Sequence, residues 1–255
     1  QINWNAVQNR FMSLFGGSTR LLGNKSFACW SWAAPHLIGM GYPTHSMKDV
    51  LDNGNLVIFW GSDPVNTTHT ADGNGRQEAW IHALRRKGKK IITIDSVNTE
   101  TAQLSDQWLA PRPSTDGAMM AAIAHVMIAQ DLYDKEFIDQ YTLGFEPFRA
   151  YVMGESDGQP KTPEWAAGVS DVPAETIRAL AMEFATTEGV MLAPGFGIQR
   201  QEFGEHAGVM LPIALAAMKG ELGTNGGGLA VYVYGGHGRP RAMGRGPGYL
   251  SAGPN

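Results

Sequence analysis

The chain has 255 residues, a formal net charge of −4, a single cysteine and 32 glycines. That length allows one large or two modest domains with a sizeable buried core. The acidic balance and the lack of a long basic run exclude nucleic acid as an expected partner, and a lone Cys29 excludes an internal disulfide or a cysteine-built cluster.

From the N-terminus, residues 4–15 read as a helix, with Val7, Phe11, Met12 and Phe15 at helical spacing and Gly16-Gly17 as its stop. A loop then enters a short helix rich in tryptophan (Trp30, Trp32). Ser26 stands where it would cap that helix. Cys29 reads as a small packing residue, and His36 has no nearby histidine or carboxylate with which to build a metal site.

Residues 56–116 organise the rest. The apolar run Leu-Val-Ile-Phe-Trp at 56–60 breaks at Gly61-Ser62-Asp63-Pro64. An amphipathic segment, 76–88, leads to a second apolar run, 91–94, that ends on Asp95. Two short β-rich runs around one helix-length segment predict a parallel βαβ unit. Ligands of such units sit at the carboxyl ends of the strands, where Asp95 is suited to ribose hydroxyls. The turn after Trp60 lacks G-x-G-x-x-G, so an ordinary NAD site is not supported, and turn chemistry alone accounts for Gly, Asp and Pro there.

A third short strand is expected at 108–111, then Arg112-Pro113-Ser114-Thr115-Asp116 and a helix over 118–130. Thr115-Asp116 is a helix-opening signature and equally a place where donors and a carboxylate can meet a nucleotide. Helices follow at 135–141, from Pro163, and from Val172-Pro173 to Phe184. Another apolar run, 190–194, empties into Gly195-Phe196-Gly197-Ile198-Gln199-Arg200, where the arginine suits phosphate or a planar heterocycle. A buried helix is expected over 206–222. No apolar stretch reaches membrane-spanning length, so no transmembrane segment is expected, and no export signal is visible at the N-terminus. With Gln1 inside helix-like sequence and a Gly-, Pro- and Arg-rich end at 235–255, we expect a fragment, or part of something longer.

Gly23-x-x-Ser26…Pro35-His36…Gly39, then Phe59-Trp60-Gly61-Ser62-Asp63-Pro64-Val65-Asn66-Thr67, resembles the dimethyl sulfoxide reductase family. So do Ile94-Asp95…Thr101, Ser114-Thr115-Asp116 and Gly195-x-Gly197-x-Gln199-Arg200-Gln201…Gly204-Glu205. The likeness runs from about Gly16 onwards, includes 131–135 and 161–166, and is strongest to the dimethyl sulfoxide and trimethylamine N-oxide reductases. It implies molybdenum carried on two molybdopterin guanine dinucleotides. Ser26 is implied as the metal ligand and catalytic residue through Oγ. Asn66 and Thr67 are implied at one dinucleotide, Ile94 and Asp95 on the guanosine side, and Ser114, Thr115 and Asp116 in guanine recognition. Phe196, Gly197 and Arg200 are implied against the pterin. The chain departs from the family pattern at Lys25, Phe27 and Phe196.

The fold class expected is therefore α/β, a Rossmann-like parallel sheet with helices on both faces. The expected division is a metal-side helix and loop at 1–40, a Rossmann-like dinucleotide-binding domain at 41–204 and the start of a second pterin-binding domain at 205–255. The resemblance implies an oxidoreductase of anaerobic respiration that reduces a small S-oxide or N-oxide by oxygen-atom transfer. Its partners would be an electron-donor protein and the remainder of the full-length enzyme, in a periplasmic setting. Alternatives are a non-redox molybdopterin enzyme such as a transhydroxylase, or a non-catalytic cofactor-binding fragment.

Overall fold

The computed structural model describes residues 4–19, 28–40, 43–67 and 77–234. Helix α1 is Trp4–Leu14 and α2 is Ala28–Ile38. A short strand β1, Thr44–Ser46, runs into α3, Met47–Asn53. The βαβ unit expected from the sequence follows as β2 (Leu56–Trp60), α4 (Gln77–Arg86) and β3 (Lys90–Ile94). After them come α5 (Glu100–Gln103), β4 (Gln107–Leu109) and α6 (Asp116–Ala129). A helical stretch follows, comprising α7 (Lys135–Tyr141), α8 (Phe145–Val152), α9 (Pro163–Ser170) and α10 (Ala174–Thr186). Strand β5, Val190–Pro194, leads through a 3₁₀ turn at Gly197–Gln199 and a π-helical turn at His206–Met210 into α11, Leu211–Met218. Strands β6, Gly228–Leu229, and β7, Tyr232–Tyr234, come last.

Five strands form one all-parallel sheet in the order β4-β3-β2-β5-β6, while β1 and β7 pair separately. Successive side chains of a strand point to opposite faces, so β2 feeds two cores. Leu56, Ile58 and Trp60 pack into the larger core with α2, α6, α9, α10 and α11; Val57 and Phe59 pack into the smaller one with Trp80, Ile81 and Leu84 of α4 and Met47 and Val50 of α3. A strand covered on both faces has no solvent side, which is why β2 and β5 are apolar without alternation. Each fully buried isoleucine of β3 contributes roughly 1.5–3 kcal/mol by leaving water.

From β2 the chain winds outward through β3 to β4, then returns on the other side of β2 as β5 and β6. The strand order therefore reverses between β2 and β5. In an open parallel sheet the crevice at the carboxyl ends of two such strands is where a ligand binds.

Three expected boundaries move. The third strand is Gln107–Leu109, because Pro111 has no N–H to give to a ladder. Helix α6 begins at Asp116, so Asp116 lies inside the first turn rather than before it. The helix expected over 206–222 opens as a π turn and ends at Met218. Pro212 offers no N–H to the carbonyl four residues back, and the ladder widens just upstream of it. The segment beyond 204 returns to the same sheet: α11 packs in the larger core and β6 pairs with β5.

Candidate cofactor site

The loops leaving β2 and β5 interlock at the switch point. The Gly61 N–H donates to the Ile94 carbonyl at 2.8 Å, the Gly195 N–H to the Trp60 carbonyl at 2.8 Å, and the Gly197 N–H to the Gly61 carbonyl at 2.9 Å. Gly61 has φ +56°, and a Cβ on it would lie 2.7 Å from Ile198 Cγ2. A Cβ on Gly195 would lie 2.3 Å from the Gly61 oxygen. Two backbones approach here as closely as glycine allows.

Asp63 builds the loop after β2. Its Oδ1 accepts from the Thr101 hydroxyl at 2.5 Å and its Oδ2 from Asn66 Nδ2 at 2.7 Å. Its carbonyl accepts from both the hydroxyl and the N–H of Thr67, at 2.6 and 3.0 Å. Asn66 and Thr67 thus sit in a turn held from within, with Asn66 exposed.

Asp95 lies one residue past β3, its Oδ1 accepting from the Val97 N–H at 3.0 Å while the Trp108 indole donates to its carbonyl at 2.8 Å. Burial pushes its carboxyl up and the Asp63 charge adds to this, against the Val97 hydrogen bond. Asp116 is buried at the start of α6 and accepts from Trp60 Nε1 at 2.9 Å. Burial pushes its carboxyl up too, opposed by the Trp60 hydrogen bond and reinforced by the charge of Asp95. Asp95 thus sits at the end of β3 and Asp116 is tied to the end of the neighbouring β2.

The remaining expected residues distribute unevenly. Ser114 is exposed with φ +67°, and the Thr115 hydroxyl donates backward to the Arg112 carbonyl at 2.7 Å instead of capping α6. Ile94 is buried in the larger core and offers no side chain to the crevice. Phe196 and Arg200 come together, the guanidinium carbon 4.8 Å from the ring centroid, a cation–π contact beside exposed Gly197. Ser26 lies outside the described residues. Cys29, just after it, donates its thiol to the Gln199 carbonyl at 3.2 Å, and burial, then Glu205, pushes that thiol up. Among the described residues no group of three or more His, Cys, Asp or Glu could hold a metal, and no helix is long and apolar enough to cross a membrane.

The family model for molybdopterin oxidoreductases matches residues 4–247. The chain belongs to the molybdopterin oxidoreductase family. The family implies molybdenum on a molybdopterin cofactor. A dimethyl sulfoxide/trimethylamine N-oxide reductase of Rhodobacter capsulatus is 39% identical over 95% of this chain and 30% of its own length. One of the same description from Cereibacter sphaeroides is 39% identical over 98% of this chain and 31% of its own. A trimethylamine-N-oxide reductase of Haemophilus influenzae is 36% identical over 96% and 30%. The chain thus spans under a third of the length of these relatives. Acetylene hydratase from Pelobacter acetylenicus has the same fold over 86% of this chain and 28% of its own, with TM-score 0.65 and 24% identity.

Three residues at these strand ends, Asp63, Trp60 and Gln199, stand in the motifs the sequence shows but receive no role from it. Asp63 carries a legible signal, since Asn66 and Thr67 three and four places on are the residues an aspartate turn would engage. Trp60 carries none, because its partner lies 56 positions away.

Proposed function

We propose that the chain is the dinucleotide-binding core of a molybdenum enzyme that reduces an S-oxide or N-oxide with two molybdopterin guanine dinucleotides. The observation that carries the reading is the switch-point crevice, where the Gly61 and Gly195–Gly197 backbones lock together between the Asp95/Asp116 pair and the Phe196–Arg200 pair. The residues fit a guanine dinucleotide. Carboxylates accept from guanine N–H and ribose O–H groups, while a guanidinium on an aromatic face offers charge to phosphate and a surface to a ring. The buried carboxamide of Gln199, with neither polar atom partnered, fits a heterocycle with both donors and acceptors.

When bound, the molybdenum supplies the two-electron oxygen-atom transfer; the protein supplies placement and electrostatics. In this reading Asp116 holds the guanine, Asp95 the ribose, Asn66 and Thr67 the loop over one dinucleotide, and Arg200 the pterin–phosphate side. Ser114 and Thr115 shape the turn before Asp116. Ser26 would offer the metal a hard hydroxyl oxygen. The residues beyond 204 would join a second pterin-binding domain, anchored by α11 on the first sheet. An electron-donor protein, the rest of the enzyme and a periplasmic setting belong to the same reading.

The test is turnover by the full-length protein with a reduced viologen dye as donor. Dye oxidation that depends on dimethyl sulfoxide or trimethylamine N-oxide supports it. Cofactor-loaded protein that oxidises no dye with either oxide, yet rearranges hydroxyl groups without net electrons, favours a transhydroxylase. Protein without molybdenum favours the non-catalytic module.

A further inference from the structure

Gln199 is only 3% exposed, and neither its Oε1 nor its Nε2 has a hydrogen-bond partner. A primary carboxamide brings two donors and an acceptor, and burying them unpaired is costly enough that proteins rarely do it without a reason. Among the described residues it is the only side chain with both of its polar atoms stranded in this way.

The surrounding chain is fitted closely to this residue. A Cβ on Gly204 would lie 2.0 Å from the Gln199 carbonyl oxygen, and one on Gly208 would lie 2.6 Å from the Gln199 Cβ. Gly208 belongs to the π turn His206–Met210, a distortion that recurs at functional sites. The Gln199 carbonyl is tied to Cys29 in the first turn of α2. On that same helix Trp30 is fully buried with its indole N–H unpartnered. Two elements from opposite ends of the chain therefore meet with spare hydrogen-bonding capacity on each side. An apolar side chain would satisfy such a position better, so the amide is retained for something that binds it.

We propose that Gln199 is a recognition residue for the pterin ring: its carboxamide pairs with the donor–acceptor edge of that bicycle. The inference rests on the proposed function above and adds a contact at the metal end of the cofactor. The guanine end is assigned to Asp95 and Asp116 across β2, whereas Gln199 adjoins Phe196 and Arg200 and the helix that follows Ser26. A pterin edge offers a ring N–H, a carbonyl and an amino group, which complements an amide as two amides complement each other. The amide is closed to solvent, so loading parts the packing between α2 and the turn at Gly197–Gln199, which the Cys29 thiol joins.

The test uses the full-length protein carrying Gln199→Met, which conserves volume and removes every hydrogen bond. Three quantities are read: molybdenum per protein, pterin fluorescence after denaturation, and the melting temperature of the cofactor-free form. The expected result is at least a tenfold fall in molybdenum and pterin with an unchanged or raised melting temperature, because the stranded amide is gone. Wild-type cofactor content in this variant overturns the proposal, and a lowered melting temperature with cofactor intact assigns Gln199 a structural role instead. If Gln199→Met cannot be purified, Gln199→Glu decides: it keeps the shape and loses both donors, so reduced pterin content is expected and full content refutes the contact. A wild-type protein without pterin fails at the earlier step and removes the proposed function along with this one.

Discussion

Trp60 and Asp116 lie 56 positions apart and are joined by one buried hydrogen bond, 2.9 Å from the indole Nε1 to Oδ1. It fastens the end of β2 to the first turn of α6, the helix buried at the centre of the larger core. The bond also counters the burial and the Asp95 charge that push the Asp116 carboxyl up. Trp60→Phe keeps the ring in the core and removes the donor. We expect a loss of about 1.5–3 kcal/mol, the range for a hydrogen bond to a charged group, read as a lower urea midpoint at unchanged slope. An unaltered midpoint contradicts the role given to this pair.

Asp95 is tested by Asp95→Asn. The asparagine oxygen still accepts from the Val97 N–H, so the turn persists and only the charge is lost. Dinucleotide retention should weaken by about 1.5–3 kcal/mol, roughly tenfold or more. Equilibrium dialysis of released guanine nucleotide measures it, and retention equal to wild type excludes Asp95 from the guanosine side.

Gly195→Ala places a methyl against the Gly61 carbonyl, where a Cβ would come within 2.3 Å. The two loops must separate, so a destabilisation of about 1–3 kcal/mol is expected from overpacking, together with loss of cofactor. An alanine variant that melts and loads like wild type shows that the close approach is not needed.

Acid dependence follows from the raised carboxyls of Asp95 and Asp116, each lifted chiefly by burial. Raised groups take up protons above the ordinary carboxylate value of about 4. In the proposed reading the ionised forms accept from guanine and ribose on both oxygens and more strongly than the protonated ones, so binding expels those protons. Cofactor retention should therefore fall as pH drops through the raised values, by up to about tenfold per pH unit for each carboxylate. In the cofactor-free protein the sign reverses: the same two groups favour folding below the unfolded value, and that contribution is lost as pH rises through the folded one. Retention flat between pH 7 and 4 would argue against ionised aspartates at the guanine.

The parts of this fold that the sequence made legible are those whose signal is local. Leu56–Trp60 and Val190–Pro194 are unbroken apolar runs because both faces of the sheet are covered, and Lys135–Tyr141 has its Asp134 cap beside it. Thr44–Ser46, Gly228–Leu229 and Tyr232–Tyr234 escaped notice because strands of two or three residues have no periodicity and exist only through distant partners. The helices Met47–Asn53 and Phe145–Val152 escaped as well, neither opening on a side chain that caps it. At the candidate site, the place of Asp95 just past a strand and of Asp116 at a helix opening was legible. Gln199 was not, since its peculiarity is a missing partner, which only coordinates reveal.

The central claim is that this chain holds a molybdopterin guanine dinucleotide cofactor. The most direct measurement is the ratio of molybdenum to guanosine monophosphate released by acid hydrolysis of the purified full-length protein. The account predicts one molybdenum and two guanosine monophosphates per protein. Protein that is folded but releases neither metal nor guanine nucleotide contradicts it.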